Sequence, residues 1–205
     1  VDHLNEGHAG FACIERLREM TLEGMSVGDA VTAIRERTVF TTHTPVPAGH
    51  DRYDASAVAR ALKGVLEGTP LRKKQLLAFG ADSGDEEDRF CMTVLALRMA
   101  HRVNGVARLH GRVSREMWKH LYDCPDTDRV PIGSVTNGIH VHTWLAPEAE
   151  NFWRDEAGIR LARLTPDSDP WTKAANVEPA RLWELRRALR RRLVRFVRQR
   201  LAVQA

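Results

Sequence analysis

The groups in this 205-residue chain that could carry chemistry are nine histidines, three cysteines and four short polar loops. The loops are Asn5-Glu6-Gly7-His8, His43-Thr44-Pro45, Asn104-Gly105-Val106 and Thr136-Asn137-Gly138-Ile139. Each offers amide, imidazole or hydroxyl groups, the donors and acceptors that a ligand rich in hydroxyls requires. In open α/β sheets such loops converge outside the carboxyl ends of the strands, where ligands bind. For any one loop, turn geometry alone explains the glycine. Together the four describe the rim of a polar crevice.

Other chemistries are less well supported. His140-Val141-His142 would place two imidazoles on one side of a strand, as some metal sites require. No Cys-x-x-Cys, no His-Glu-x-x-His and no nearby acidic third ligand accompanies them, so they read as structural or substrate-facing and no metal is expected. Cys13, Cys91 and Cys124 are at least 33 positions apart, too scattered for a disulfide framework or an evident catalytic pair. That favours a reducing compartment and a cytoplasmic location. Nine arginines and one acid, Glu184, lie between Arg181 and Ala205, so this segment carries +8 and the rest of the chain −4. Such a segment could meet nucleic-acid phosphates. Its arginines alternate with an apolar stripe and lack a base-stacking surface, so they read as the outer face of an amphipathic helix. Neither nucleic acid nor membrane is expected as a partner. The remaining alternative is a non-catalytic binding or scaffold module that uses this basic helix.

The elements that must position the loops follow from periodicity. Residues 1–5 read as the end of a strand, with Gly7 permitting a close turn and a helix over about 8–20 bearing Phe11, Ile14, Leu17 and Met20. Ser26 or Asp29 can cap a second helix holding Val31 and Ile34. Thr38–Thr42 is a β-branched, aromatic strand, and two prolines make His43–Gly49 a loop. Short helices are expected near 55–66 and 71–79. The acidic stretch Asp82–Asp88 reads as a solvated turn, capped by Asp85, that feeds a buried helix over about 87–102. Val103–Val106 reads as a tight reversal before a helix reaching Leu121, and Ile132–Val135 as another strand. Beyond Trp144 the pattern is helical, with Ala146-Pro147-Glu148 opening one helix, Thr165–Pro170 breaking it and a long helix starting near Pro179. No run is apolar and long enough for a membrane span. The alternation of helix and strand predicts an α/β domain with a largely parallel sheet.

Leu4-Asn5-Glu6-Gly7-His8, Thr42-His43-Thr44-Pro45-Val46-Pro47, His101-Arg102-Val103-Asn104-Gly105-Val106-Ala107-Arg108-Leu109-His110 and Thr136-Asn137-Gly138-Ile139-His140 with Trp144 resemble the α-glucan phosphorylases. The order and spacing of the four strings match that family over essentially the whole chain, and the Asn-Glu-Gly-His form is similar to its bacterial branch. The resemblance implies a glycosyltransferase that moves the terminal α-1,4-linked glucosyl unit of glycogen or maltodextrin onto inorganic phosphate, giving α-glucose 1-phosphate with retained configuration. It implies two Rossmann-like domains, with residues 1–143 ending the first and 144–205 opening the second. It also implies pyridoxal 5'-phosphate on a lysine of the second domain, downstream of this chain, and leaves an oligomeric parent open. Carried over onto matching positions, His8 and Asn137 would contact the glucosyl unit. Asn5, His43, His101, Asn104 and Arg108 would support the loops, with Arg108 satisfying nearby carbonyl groups. None of the five lysines has a suitable glycine-rich neighbourhood, so no cofactor attachment and no catalytic residue is expected within the chain. A chain that begins at a strand end and stops inside a helix is expected to be an internal fragment, inactive alone.

Overall fold

The computed structural model describes residues 1–82, 89–164 and 169–204. The chain divides into two compact units, residues 1–137 and 138–205. Among the described residues, no helix is long and apolar enough to cross a membrane.

The first unit begins with β1 (Asp2–Asn5), a single 3-10 turn (Gly7–Gly10) and α1 (Phe11–Leu22), whose buried side is Cys13, Ile14, Leu17 and Thr21. Ser26 caps α2 (Val27–Arg37), its hydroxyl accepting from the Asp29 amide at 3.2 Å. Then follow β2 (Thr38–Thr42), β3 (Arg52–Asp54), α3 (Ala55–Ala61), α4 (Lys63–Leu66) and α5 (Lys73–Gly80). The unit continues through β4 (Arg89–Cys91), α6 (Met92–Met99), β5 (Arg102–Gly105), α7 (Arg108–Trp118) and β6 (Ile132–Ser134). Four strands form one parallel sheet in the order β1-β2-β5-β6, while β3 and β4 make a separate antiparallel pair. Parallel strands need a crossover, and helices supply it between β1 and β2 and between β5 and β6. The core is one cluster in which Phe40 of β2, Leu95 of α6 and Leu17 of α1 are wholly buried.

Three expectations need correction. The helix placed over 87–102 is a three-residue strand, β4, followed by a shorter helix, α6. Phe90 is drawn into a ladder opposite Tyr53, and an apolar run with no polar face cannot distinguish a buried strand from a buried helix. Residues 102–105, read as helix end and reversal, form β5, a central strand paired with β2 on one side and β6 on the other. Four residues are too few to show a period, and an Asn-Gly pair mimics a turn signal. Asp82, placed in a solvated turn, is buried against Arg52 and His120. The rest of that acidic stretch, with Asp85 as cap, lies outside the described residues, as do residues 165–168 of the expected break.

The second unit contains α8 (Val141–Trp144), α9 (Pro147–Ala157), α10 (Pro170–Ala174) and α11 (Pro179–Gln204). Pro147 in the first turn, Glu148 and Glu150 beside it, and Gly158 at φ 64° bound α9 by ordinary helix start and stop chemistry. Arg181 reaches Glu156 at 2.6 Å and Arg192 reaches Glu148 at 2.7 Å, tying α11 to α9. His140 precedes a helix rather than lying in a strand, so the two-residue alternation that would align it with His142 does not apply. Its Nδ1 instead faces Thr143 Oγ1 at 2.6 Å. Among the described residues there is no group of three metal-ligating side chains.

Candidate functional site

The parallel register brings four strand ends to one edge of the sheet. Asn5 lies opposite Thr41, Thr42 opposite Gly105, and Gly105 opposite Ser134. At roughly 4.8 Å per strand spacing, the loop after β1 and the loop after β6 stand about 14 Å apart along this edge.

After β1 the chain makes its most unusual turn. Glu6 has φ 83° and ψ 161°, the one positive φ outside glycine among the described residues. That conformation costs on the order of 1–3 kcal/mol and persists only where surrounding contacts hold it. Here they do. Glu6 Oε1 accepts from the Gly7 amide at 2.9 Å, and Oε2 accepts from the His43 amide at 2.8 Å and the Thr44 hydroxyl at 3.0 Å. Burial alone would raise the carboxyl's pKa, but the His43 and Gly7 amides, the Thr44 hydroxyl and nearby His50 together hold it below its ordinary value. Sequence reasoning missed Glu6, because a lone glutamate in a polar string carries no sign of its backbone angle. The expected role of Gly7 in the turn also needs correction, since its φ is not positive. A Cβ there would lie 2.7 Å from Thr93 Oγ1 and 3.0 Å from the Thr93 amide nitrogen, so close packing on α6 requires the glycine.

Two exposed side chains stand beside this turn. His8 is exposed in the 3-10 turn and makes no side-chain hydrogen bond to a described residue. His43 is exposed too, and its Nε2 meets Asn5 Oδ1 at 2.5 Å. With Nε2 donating to that amide oxygen, Nδ1 keeps a lone pair for an incoming hydroxyl.

The loop after β5 is built on close approach. Gly105 has ordinary φ, but a Cβ on it would stand 2.9 Å from the Gly111 nitrogen and 3.0 Å from His110 Nδ1 on α7. His110 Nδ1 accepts the Val106 amide at 3.1 Å and so pins the loop from beneath. Asn104 accepts from Thr41 Oγ1 at 3.2 Å and donates to the Gly105 carbonyl at 3.3 Å, linking β2 to β5. Arg108 is exposed and makes no hydrogen bond to a described carbonyl, contrary to expectation. Arg115, two turns along α7, reaches the Ile132 carbonyl at 3.0 Å instead. His101 sits at the amino end of β5, away from the crevice, and contributes its backbone amide to Thr38 at 3.0 Å. After β6, the Asn137 backbone N–H donates to the Val106 carbonyl at 3.1 Å, and its exposed side chain makes no hydrogen bond to a described residue.

His50 lies buried below these loops. Its Nδ1 faces Thr93 Oγ1 at 2.9 Å, and its ring meets Trp118 edge-on at 4.9 Å. Burial pushes its imidazole below the ordinary value of 6.5, Arg52 and His110 reinforce this, and Glu6 and Asp51 oppose it. The unfolded chain therefore takes up this proton first as pH falls. The contribution is complete above about pH 6.5 and is lost progressively below it. Glu6 acts in the same sense lower down: its contribution is complete above about pH 4.5 and is lost as pH falls through the depressed folded value. Tm is therefore expected to fall between pH 7.5 and 5.5, and His50→Gln is expected to flatten that slope. An unchanged slope in the variant would exclude His50 as its source.

A parallel sheet with exposed imidazole and amide groups at its carboxyl edge defines an α/β domain with a polar carboxyl edge. No family profile matches the chain. Individual relatives do. It is similar to the glycogen phosphorylase of Mycobacterium tuberculosis, with 45% identity over 98% of this chain and 24% of that protein. The maltodextrin phosphorylase of Thermococcus litoralis is 35% identical over 98% of the chain and 24% of its own length, and the glycogen phosphorylase of Aquifex aeolicus 26% identical over 97% and 28%. The chain belongs to the α-glucan phosphorylases and spans about a quarter of the length of these relatives.

That family in general depends on pyridoxal phosphate, which forms a Schiff base with a lysine. Lys63, Lys73, Lys74 and Lys173 are exposed on α4, α5 and α10, and Lys119 donates to the Pro125 carbonyl at 3.0 Å. Four are exposed on helices and the fifth is held by a carbonyl, so none is enclosed as a Schiff-base lysine would be and these residues do not fit the cofactor's attachment site.

Proposed function

We propose that this stretch forms one wall of the sugar crevice of an α-glucan phosphorylase. That enzyme breaks the bond between C1 of a terminal glucosyl unit and its α-1,4 oxygen, and forms a bond from C1 to a phosphate oxygen. The supporting observation is the convergence of exposed His8, His43 and Asn137, from three different loops, at the carboxyl edge of one parallel sheet. His8 and His43 would hydrogen-bond the glucosyl unit from one flank and Asn137 from the other. The carbonyl of His8 would face positive charge developing at C1. The whole enzyme is read as two Rossmann-like domains, this chain closing the first and opening the second near residue 143. Glycogen or maltodextrin and inorganic phosphate are its substrates.

In the whole phosphorylase that carries this stretch, Asn137→Ala is expected to lower kcat/KM for phosphorolysis of maltoheptaose about tenfold, the cost of one lost hydrogen bond to the sugar. Unaltered kinetics in that variant would refute the reading.

A further inference from the structure

Glu6 is half-buried, neither part of the core nor one of the exposed groups at the sheet edge. It is the one non-glycine residue with positive φ among the described residues, and it lies between the two loops that present His8 and His43. Its backbone is anchored on both sides, the Glu6 amide donating to the Thr41 carbonyl at 2.9 Å and the Glu6 carbonyl accepting from the Ala9 amide at 3.3 Å. With the chain held in this way, the side chain turns across the gap to the neighbouring loop. There it accepts from a backbone amide and a hydroxyl that no residue of that loop itself satisfies.

We propose that Glu6 is a positioning residue whose carboxylate locks the loop after β1 to the loop after β2, so that His8 and His43 meet the glucosyl unit as one rigid surface. The inference rests on the sugar-crevice reading above and adds a residue to it. A carboxylate suits the task because both oxygens only accept, and all three contacts are from donors: the Gly7 amide, the His43 amide and the Thr44 hydroxyl. Glutamine has the same length but one accepting atom fewer. Its amide nitrogen would face either the Gly7 N–H or the His43 N–H and Thr44 O–H pair, donor against donor. The loops would then separate without any change in the core.

The test is a double-mutant cycle in the whole phosphorylase carrying this stretch, read as kcat/KM for maltoheptaose. Glu6→Gln is expected to cost about tenfold with His43 present and less than about twofold in a His43→Ala background, since the imidazole that the lock holds beside His8 is then absent and no paired surface is left to align. A purely structural Glu6 would cost the same in both backgrounds, and that additivity would overturn the proposal. So would an unchanged kcat/KM in Glu6→Gln. Thr44→Val removes only one of the three contacts and serves if Glu6→Gln does not fold. The same cycle should then show about a threefold loss that disappears with His43→Ala, and equal losses would again overturn the proposal. Asn137→Ala separates this result from the underlying reading. If Asn137→Ala is silent, the sugar crevice itself falls. If it is harmful while Glu6 and His43 are additive, only the positioning role falls.

Discussion

Asp82→Ala is expected to destabilise the fold by about 3–5 kcal/mol, measured by urea unfolding at pH 7. The Asp82 side chain is 3% exposed, and Arg52 meets it at 3.0 Å while His120 Nε2 meets its other oxygen at 2.6 Å. These partners come from distant parts of the chain: Arg52 from β3, His120 from the 3-10 turn that follows α7. Removing the acid leaves the largely buried Arg52 guanidinium without its counter-charge, and that orphaned charge, more than the lost contact, sets the size of the effect. Asp82→Asn keeps an acceptor and should cost clearly less. Pairing Asp82→Ala with Arg52→Met should recover much of the loss, because the stranded charge goes too. A loss below about 1 kcal/mol would mean that the pair behaves like an exposed surface bridge.

Trp118→Ala is expected to cost a similar amount, about 3–5 kcal/mol, by leaving a large cavity at the end of α7. Trp118 is 1% exposed and stands between His50, at 4.9 Å, and His120, at 6.0 Å between ring centroids. The contrast with Trp118→Phe is informative. The indole Nε1 is buried with no hydrogen-bond partner among the described residues, so phenylalanine loses volume but also removes a poorly satisfied donor. It should cost less than half as much as alanine. Equal losses would show that the indole nitrogen is bonded in solution.

Strong local chemistry made parts of this molecule readable in advance. β2 is a run of β-branched and aromatic residues, α2 begins at a serine cap, and α9 opens at a proline, although it stops at Gly158 and does not run on to the break expected at Thr165–Pro170. Each of these signals acts within one turn or one strand, so neighbours alone settle it. The family was readable for a different reason. Four polar strings in fixed order are improbable together, even though each is weak alone.

β5 was misread because four residues between two strands acquire their conformation from their partners. Nothing within Arg102–Gly105 announces a central strand. The glycines were legible as needed but not as to why: Gly7 and Gly105 have ordinary backbone angles and make room for Thr93 and for α7. Arg108 and Arg115 could not be told apart without knowing which face of α7 meets β6.

The division follows the range of the forces. Caps, breakers and periodic apolar residues act over a few positions, and the amino-acid order alone specified the α/β class, the helices α1, α2 and α11, and the polar strings that follow β1, β2 and β6. What folding added is contact between residues far apart in the chain. Asn5 meets His43, Asp82 meets Arg52 and His120, and the strained Glu6 carboxylate closes on a loop 37 residues away. The contacts of Asn5 and Glu6 with the loop after β2 exist only after the parallel sheet has set its register, because that register brings the ends of β1 and β2 side by side.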